Sequence, residues 1–248
     1  MTENVISYNM FINNLLFISL SPVLIIALYI YSRDKYEREP LPVLLRAMLA
    51  GIAIVIPVII IERILSAPSE EMDGILYAAY NAFIVAGLTE EAFKYFAFYI
   101  FFWSNKNFNE KFDGIVYAAY IALGFAAVEN IFYVFSGGVG VGMVRAVTAV
   151  PAHALFGVTM GYYFSLAKFN IRHNSFFMAM AFIMPFLFHG LYDFVLMSQS
   201  PLMLVLFIPL FIYFWISGFR KISVASDESS FRDNVPGDID SGKSGTVI

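Results

Sequence analysis

Seven long apolar stretches divide the chain and restrict its fold more than any other feature. A helix needs about 20 apolar residues to cross the roughly 30 Å hydrocarbon core of a bilayer, and each stretch is about that long. Because 60% of the 248 residues are hydrophobic and 14% are charged, a soluble domain is excluded. The sequence predicts an all-α, polytopic membrane helix bundle with about seven transmembrane helices, at residues 9–31, 42–65, 75–103, 114–136, 143–167, 174–198 and 201–220.

The charges of the connections predict the orientation of this bundle. Lysine and arginine follow the odd-numbered stretches, whereas the alternate connections are acidic or uncharged. Because basic loops stay in the cytoplasm, this pattern puts the amino terminus outside and the carboxyl terminus inside. The basic residues that set the pattern are Arg33, Lys35, Arg38, Lys106, Lys111, Lys168, Arg172, Arg220 and Lys221.

Composition also divides the chain into two parts and excludes several functions. Residues 1–221 are predicted to form the transmembrane domain, and residues 222–248, rich in Ser, Asp and Gly, a disordered acidic cytoplasmic tail. The net charge is −4 and long basic runs are absent, so nucleic acid is not a predicted partner. Cysteine is absent, which excludes disulfides, cysteine metal sites and cysteine nucleophiles.

Charged side chains deep inside the third apolar stretch are the main pointer to function. They are Glu90, Glu91 and Lys94. A charge at bilayer depth costs about 2.5–3.5 kcal/mol on insertion scales, so a functional site is the default inference. On a helix Glu90 and Lys94 share a face, and Glu91 points about 100° further round. We therefore expect Lys94 to neutralise one carboxylate and the other to need a different partner.

Three further stretches carry ionisable groups at a matching depth. Counted from the predicted cytoplasmic ends of their helices, Glu91, Glu129, His153 and His189 lie at about 18–23 Å, for a rise of 1.5 Å per residue. We therefore expect these groups to meet in one layer near the bilayer midplane. The complete candidate set is Glu90, Glu91, Lys94, Glu129, Asn130, His153, His189 and Asp193.

Three kinds of chemistry fit such a set. A carboxylate could act as general base on a water molecule, with a histidine as acid and Asn130 as oxyanion donor. Alternatively, Glu90, Glu129, His153 and His189 could bind a divalent metal. The same groups could also relay protons or ions in a transporter. Among hydrolases, the absence of His-Glu-x-x-His, Gly-x-Ser-x-Gly and Gly-x-Gly-Asp motifs favours water activated by glutamate.

The motifs that carry these residues also resemble a known family. Over about residues 30–195 they are similar, in order, to the motifs of the PrsW family of intramembrane proteases. That family is distantly similar to the CAAX prenyl protease and bacteriocin-processing families. The matching motifs are Asp34-Lys-Tyr-Glu-Arg-Glu-Pro40, Glu90-Glu91-x-x-Lys94, Phe125-x-x-x-Glu129-Asn130, His153-x-x-x-Gly157 and His189-x-x-x-Asp193.

The resemblance implies a multi-pass protease of a prokaryotic plasma membrane. Its expected substrate is a single-pass membrane protein such as an anti-sigma factor, whose site-1 type cleavage begins the regulated proteolysis that frees a sigma factor. By analogy with the related families, Glu90 is the water-activating base and Glu91 a second acid, with the reverse order left open. The other predicted catalytic residues are Glu129, His153 and His189, and the supporting ones are Lys94, Asn130 and Asp193.

Two points stay open from the sequence. No cofactor is predicted, but a divalent metal held by Glu90, Glu129, His153 and His189 is an alternative. A proton- or ion-coupled transporter built on the same charges is the alternative function. It is less favoured because an inverted repeat of whole bundles is not visible in the sequence. An inactive protease acting as a scaffold is disfavoured because the candidate catalytic residues are intact.

Overall fold

The computed structural model describes residues 2–232, and within this range every regular element is helical. Short 3-10 turns at Ala67–Glu71 and Ile171–His173 join some of the helices, and a π-helical segment, Asn81–Leu88, joins α3 to α4. The α-helices are α1 (Thr2–Arg33), α2 (Leu41–Ser66), α3 (Gly74–Tyr80), α4 (Thr89–Phe101), α5 (Lys111–Val147), α6 (Ala149–Phe169), α7 (Asn174–Met197) and α8 (Pro201–Asp227).

Five helical segments of the described chain are long and apolar enough to cross a membrane. One of them, Lys111–Phe169, has 59 residues and contains two of the predicted stretches. The stretch predicted at residues 75–103 is formed by α3, the π-helical segment and α4 in succession. The predicted polytopic helix bundle is therefore confirmed, whereas the number of seven spans and the orientation stay predictions.

Helix α5 forms the centre of the bundle. Its residues 112–127 are all buried, between α1, α2 and α6. A helix that is apolar all round needs neighbours on every side, and this sequence is rich in Ala, Gly and aromatic residues. Helix α8 has the opposite character, because only 11% of its most apolar window is buried. It therefore lies at the periphery, where its apolar side chains would face lipid.

Glycines bring α2 and α5 into close contact. A Cβ atom added at Gly124 would lie 2.1 Å from the carbonyl oxygen of Met48, and one added at Gly51 would lie 2.0 Å from that of Ile121. Both neighbours are backbone atoms of the facing helix, so neither can move aside alone. Small residues at helix contacts allow this approach where burial from water does not drive association.

The variant Gly124→Ala tests this contact, with Gly140→Ala as the matched control. We expect Gly124→Ala to destabilise the protein by about 1–3 kcal/mol, because overpacking forces the helices apart. A Cβ atom at Gly140 would meet no atom within 4 Å. Thermal unfolding in detergent measures both variants. Equal midpoints for the two would contradict the close contact.

Helix α5 is interrupted by a reversal at Gly138. This residue has φ 77° and ψ −173°, a conformation that only glycine adopts readily. In a straight helix Asn130 and Arg145 would lie about 22 Å apart. Their side chains are instead 2.9 Å apart, between Oδ1 and Nε. The segment after Gly138 thus folds back along the end of α5, at the connection that the sequence predicted.

The end of α8 differs from the predicted boundary at residue 221. The helix continues to Asp227, and Ile222 and Ala225 are buried. The prediction of disorder is therefore wrong for residues 222–227, because their apolar residues extend the packed face of α8. The part of the predicted tail after residue 232 lies outside the described residues.

Candidate active site

A cavity of about 320 Å³ lies among α2, α4, α5, α6 and α7. Four of the five residues predicted to be catalytic line it, and the exception is Glu91, which is fully buried behind Glu90. The prediction that separate helices deliver their polar groups to one place is therefore met by the geometry. The acids, histidines and arginine in the wall are Glu62, Glu90, Glu129, Arg145, His153, His189 and Asp193.

The backbone before the two adjacent acids is unusual. The π-helical segment Asn81–Leu88 leads directly into α4, which begins at Thr89. Within it, a Cβ atom added at Gly87 would lie 3.2 Å from the backbone nitrogen of Gly190 in α7. Because the two glycines let these backbones approach, the start of α4 comes close to His189. Single π-helical turns inside helices are frequent at functional sites.

Lys94 is buried between both acids of α4. Its Nζ donates to Glu90 Oε2 at 3.0 Å and to Glu91 Oε1 at 2.8 Å. It also lies 3.3 Å from His153 Nδ1. Residues three and four positions apart are neighbours on a helix, so one ammonium group can reach both carboxylates. The expectation that Lys94 neutralises only one acid is therefore wrong, although Glu91 does have a second partner.

The His153 ring is held by Glu129. Its Nε2 lies 2.8 Å from Glu129 Oε2, while its Nδ1 faces Lys94 and lies 3.9 Å from Glu90 Oε2. With Nε2–H donating to Glu129, the Nδ1 lone pair points towards Lys94. Glu129 thus sets both the orientation and the tautomer of His153.

His189 is the second partner of Glu91. Its Nδ1 lies 2.9 Å from Glu91 Oε1, and its Nε2 lies 3.3 Å from Asp193 Oδ2. A protonated imidazole can donate to both carboxylates at once. Asp193 stands one helical turn after His189, at the spacing expected of an orienting carboxylate. The ring centres of His153 and His189 are 5.3 Å apart.

The geometry also fits a divalent metal. Nδ1 of each histidine lies 3.9 Å from Glu90 Oε2, while each Nε2 contacts an outer carboxylate, Glu129 or Asp193. Metal-bound histidines usually make such an outer contact. Glu91 Oε2 is buried without a hydrogen-bond partner among the described residues. The set with ligand atoms within 4.8 Å of one another is Glu90, Glu91, His153 and His189, so Glu91 takes the place predicted for Glu129.

Arg145 fixes the outer side of this arrangement. Its Nη2 donates to Glu129 Oε2 at 2.9 Å and its Nε to Asn130 Oδ1 at 2.9 Å. Asn130 Nδ2 in turn donates to the carbonyl oxygen of Ser19, at 2.7 Å. Asn130 is completely buried and does not line the cavity. The structure therefore gives Asn130 a positioning contact in place of the oxyanion contact considered from the sequence.

Sequence reasoning missed two charged residues of the cavity wall, Arg145 and Glu62. Both lie inside predicted apolar spans, at the start of 143–167 and near the end of 42–65. Charge within an apolar span is the signal that identified Glu90, and applied at the span ends it would have found both residues. Arg145 approaches the acids because of the reversal at Gly138, and Glu62 because of the packing of α2. Neither can be predicted from the spacing of residues along the sequence.

Replacement of Arg145 tests whether it positions Glu129. We expect Arg145→Met to lower substrate turnover about 10- to 100-fold, the range typical of outer-shell groups, because Glu129 loses its anchor. Arg145→Lys should restore part of the activity, since a cation can still reach Glu129. The control is Arg220→Met, an exposed arginine of α8. Identical activities for the Met and Lys variants would argue against positioning by charge.

Comparisons with known proteins agree with this geometry. The sequence model of the family described as "PrsW family intramembrane metalloprotease" matches residues 39–216. Protease PrsW of Clostridioides difficile is 38% identical over 217 residues, covering 84% of this chain and 90% of that protein. Protease PrsW of Oceanobacillus iheyensis is 35% identical over 210 residues, covering 85% and 95%. No solved structure matches the chain.

The family match includes every residue of the candidate active site. The match to the relatives extends over most of each protein, so it is not confined to a few motifs. With a polytopic helical fold and a buried cluster of acids and histidines, the chain is a membrane-embedded peptidase. It belongs to the PrsW family of intramembrane proteases.

Proposed function

We propose that this chain hydrolyses a peptide bond of a membrane-anchored protein with water activated at Glu90. The observation that carries the proposal is the position of Glu90, whose carboxylate lines the cavity and lies between two histidines and Lys94. Glu91, its neighbour in sequence, does not line the cavity and is bonded to Lys94 and His189. This difference supports Glu90 as the base and Glu91 as the residue that holds Lys94 and His189 in place.

The reaction follows from these contacts. Glu90 takes a proton from a water molecule in the cavity, and the hydroxide attacks the carbonyl carbon of the scissile bond. The amine leaves when it receives a proton, which protonated His189 can supply, while Asp193 stabilises the imidazolium through Nε2. Lys94 is bonded to both acids, so we assign it to positioning and charge balance.

A divalent metal is compatible with the same residues, and the family description includes one. Glu90, Glu91, His153 and His189 would hold it, with Glu129 and Asp193 as the outer carboxylates. When bound, the metal would polarise the scissile carbonyl and acidify a water molecule. Its natural competitor in this structure is the Lys94 ammonium, which lies within 3.0 Å of Glu90 and 3.3 Å of His153.

The proposed substrate is a single-pass membrane protein such as an anti-sigma factor, cleaved in the plasma membrane of a prokaryote. The family resemblance supports this choice. The cavity supports it as well, since it lies within a helix bundle whose outer surface is apolar and would be embedded in lipid. The proposal requires that a substrate helix reach the cavity laterally, from within the bilayer.

The test uses the full-length protein reconstituted in liposomes together with a tagged single-pass substrate. We expect two substrate fragments in the presence of this chain and intact substrate in its absence. A second arm adds a chelator and then Zn²⁺: loss and recovery of cleavage indicate the metal-dependent form, and unchanged cleavage indicates the metal-free form. Proton or ion flux without cleavage of any member of a panel of such substrates would support a transporter and contradict the proposal.

A further inference from the structure

A second group of buried acids lies at the other end of the bundle. It joins the α1–α2 connection to the start of α5 and contains the Asp34–Pro40 motif, which the candidate active site does not use. Asp113 and Glu129 are separated by about 24 Å along α5, so the two sites are distinct. The residues of this group are Asp34, Glu39, Glu110 and Asp113, each at most 3% exposed.

The protein satisfies one carboxylate oxygen of Asp34 and one of Asp113. Asp34 Oδ2 accepts the backbone N–H of Glu39 at 2.9 Å. Asp113 Oδ2 accepts those of Asn109 at 2.8 Å and Glu110 at 2.7 Å. Their opposite oxygens, Asp34 Oδ1 and Asp113 Oδ1, have no hydrogen-bond partner among the described residues, and neither has Glu39 Oε2. Buried polar atoms without partners are rare, and each calls for an explanation such as strain, a bound water molecule or an ion.

Tyr117 belongs to the same group. Its side chain is completely buried, and its hydroxyl has no partner that meets strict hydrogen-bond geometry in residues 2–232. The carboxyl group closest to it in electrostatic effect is that of Glu39, followed by those of Asp113 and Asp34. The hydroxyl is therefore a further buried oxygen among these acids.

Three of the basic residues near this group are engaged elsewhere, whereas Arg33, the neighbour of Asp34 in sequence, has a buried Nε without a hydrogen-bond partner among the described residues. Lys111 pairs with Glu228, Lys168 donates to the carbonyl oxygen of Trp103, and Arg38 lies over the ring of Tyr31. None of the four acids has an ion pair within 4.0 Å in the described part of the chain. Buried carboxylates without a cation are costly, and they must either hold protons or bind a metal.

We propose that Asp34, Glu39, Asp113 and Tyr117 form a binding site for a hard divalent cation, Mg²⁺ or Ca²⁺. Such cations bind carboxylate and other oxygen ligands and complete their coordination with water. The cation would tie the α1–α2 connection to the first turns of α5. Ser229, which donates to Glu110, brings the end of α8 to the same corner. The site would therefore stabilise the junction of four helices.

Protons compete with a cation for carboxylate ligands, because a ligand must lose its proton before it binds the ion. We therefore expect cation binding to tighten as the pH rises.

The experiment measures the thermal unfolding of the full-length protein in detergent, with Mg²⁺ and Ca²⁺ titrated in separate series at pH 6, 7.5 and 9. For one bound cation at 100 times its Kd, the midpoint should rise by roughly 5–10 °C. Glu39→Gln and Asp113→Asn should each weaken the response at least about tenfold, since each removes a charged ligand. Glu90→Gln should leave the rise in midpoint unchanged if the cation binds among Asp34, Glu39 and Asp113 rather than at the candidate active site. Glu70→Gln, at an exposed acid, is the matched control.

Two results would overturn the proposal. The first is a response that Glu90→Gln removes and Glu39→Gln leaves intact, which would assign the cation to the other end of the bundle. The second is the absence of a saturable response to either cation at any pH, together with a higher unfolding midpoint for Asp113→Asn. That result would mean that the acids are held neutral by protons. If Asp113→Asn does not fold, Glu39→Gln alone decides between these outcomes.

Discussion

Replacement of Glu90 by glutamine is expected to lower peptide-bond hydrolysis by about 10²–10⁴-fold, the usual contribution of a general base. The amide has nearly the shape of the carboxylate, so the cavity is preserved. It cannot take a proton from water, and it is also a poor metal ligand, so the loss is expected with or without a metal. Lys94 still has Glu91 as a partner, 2.8 Å away, so the variant should fold.

The measurement is the rate of substrate cleavage in liposomes at equal protein levels. Glu71→Gln is the matched control, because Glu71 is an exposed acid in the turn before α3. Glu91→Gln separates the two assignments of the adjacent acids: its activity should fall less than that of Glu90→Gln, since Glu91 does not reach the cavity wall. A larger loss for Glu91→Gln would reverse the roles proposed for the pair.

Replacement of Lys94 by methionine is expected to have the largest effect on stability. Lys94 is 1% exposed and bonded to Glu90 and Glu91, which are both buried. Removing one partner of a buried ion pair costs about 3–5 kcal/mol, because the remaining charge has no compensation. For a chain of this size, that corresponds to a fall of roughly 6–20 °C in the unfolding midpoint.

Two further variants show whether charge is the cause. Lys106→Met changes an exposed lysine and should leave the midpoint within about 1–2 °C of the wild-type value, as surface substitutions usually do. Adding Glu91→Gln to Lys94→Met should recover part of the loss, because one uncompensated carboxylate is then removed. A double variant less stable than Lys94→Met would rule out charge imbalance and indicate loss of packing around the lysine stem.

The sequence was sufficient for the helical class and for most members of the site. Apolar runs of membrane-spanning length define the helices, because a bilayer forces every backbone group to bond within its own segment. Burying a charge in lipid is costly, so Glu90, Glu91, Lys94 and Glu129 are identified as candidates for a functional site. Depth along each helix follows from the fixed rise per residue, which is why the histidines could be assigned to the same layer.

Contacts between helices could not be predicted from the sequence. The rotation of each helix about its axis decides that Glu90 lines the cavity while Glu91 lies behind it, and that rotation depends on packing such as the approach of Gly87 to Gly190. The prediction that Lys94 neutralises only one acid was also wrong, because helical spacing alone allows its side chain to reach Glu90, Glu91 or both.

The sequence by itself thus determined a bundle of membrane helices with acids and histidines at one depth, because helix length, rise and charge burial are local properties. Only the tertiary structure decided that Arg145 returns to Glu129 after the reversal at Gly138 and that Nδ1 of both histidines lies 3.9 Å from Glu90 Oε2. It also brought Asp34 and Asp113 near the same side chain, Tyr117. These contacts join residues far apart in the chain, and their geometry depends on how whole helices pack.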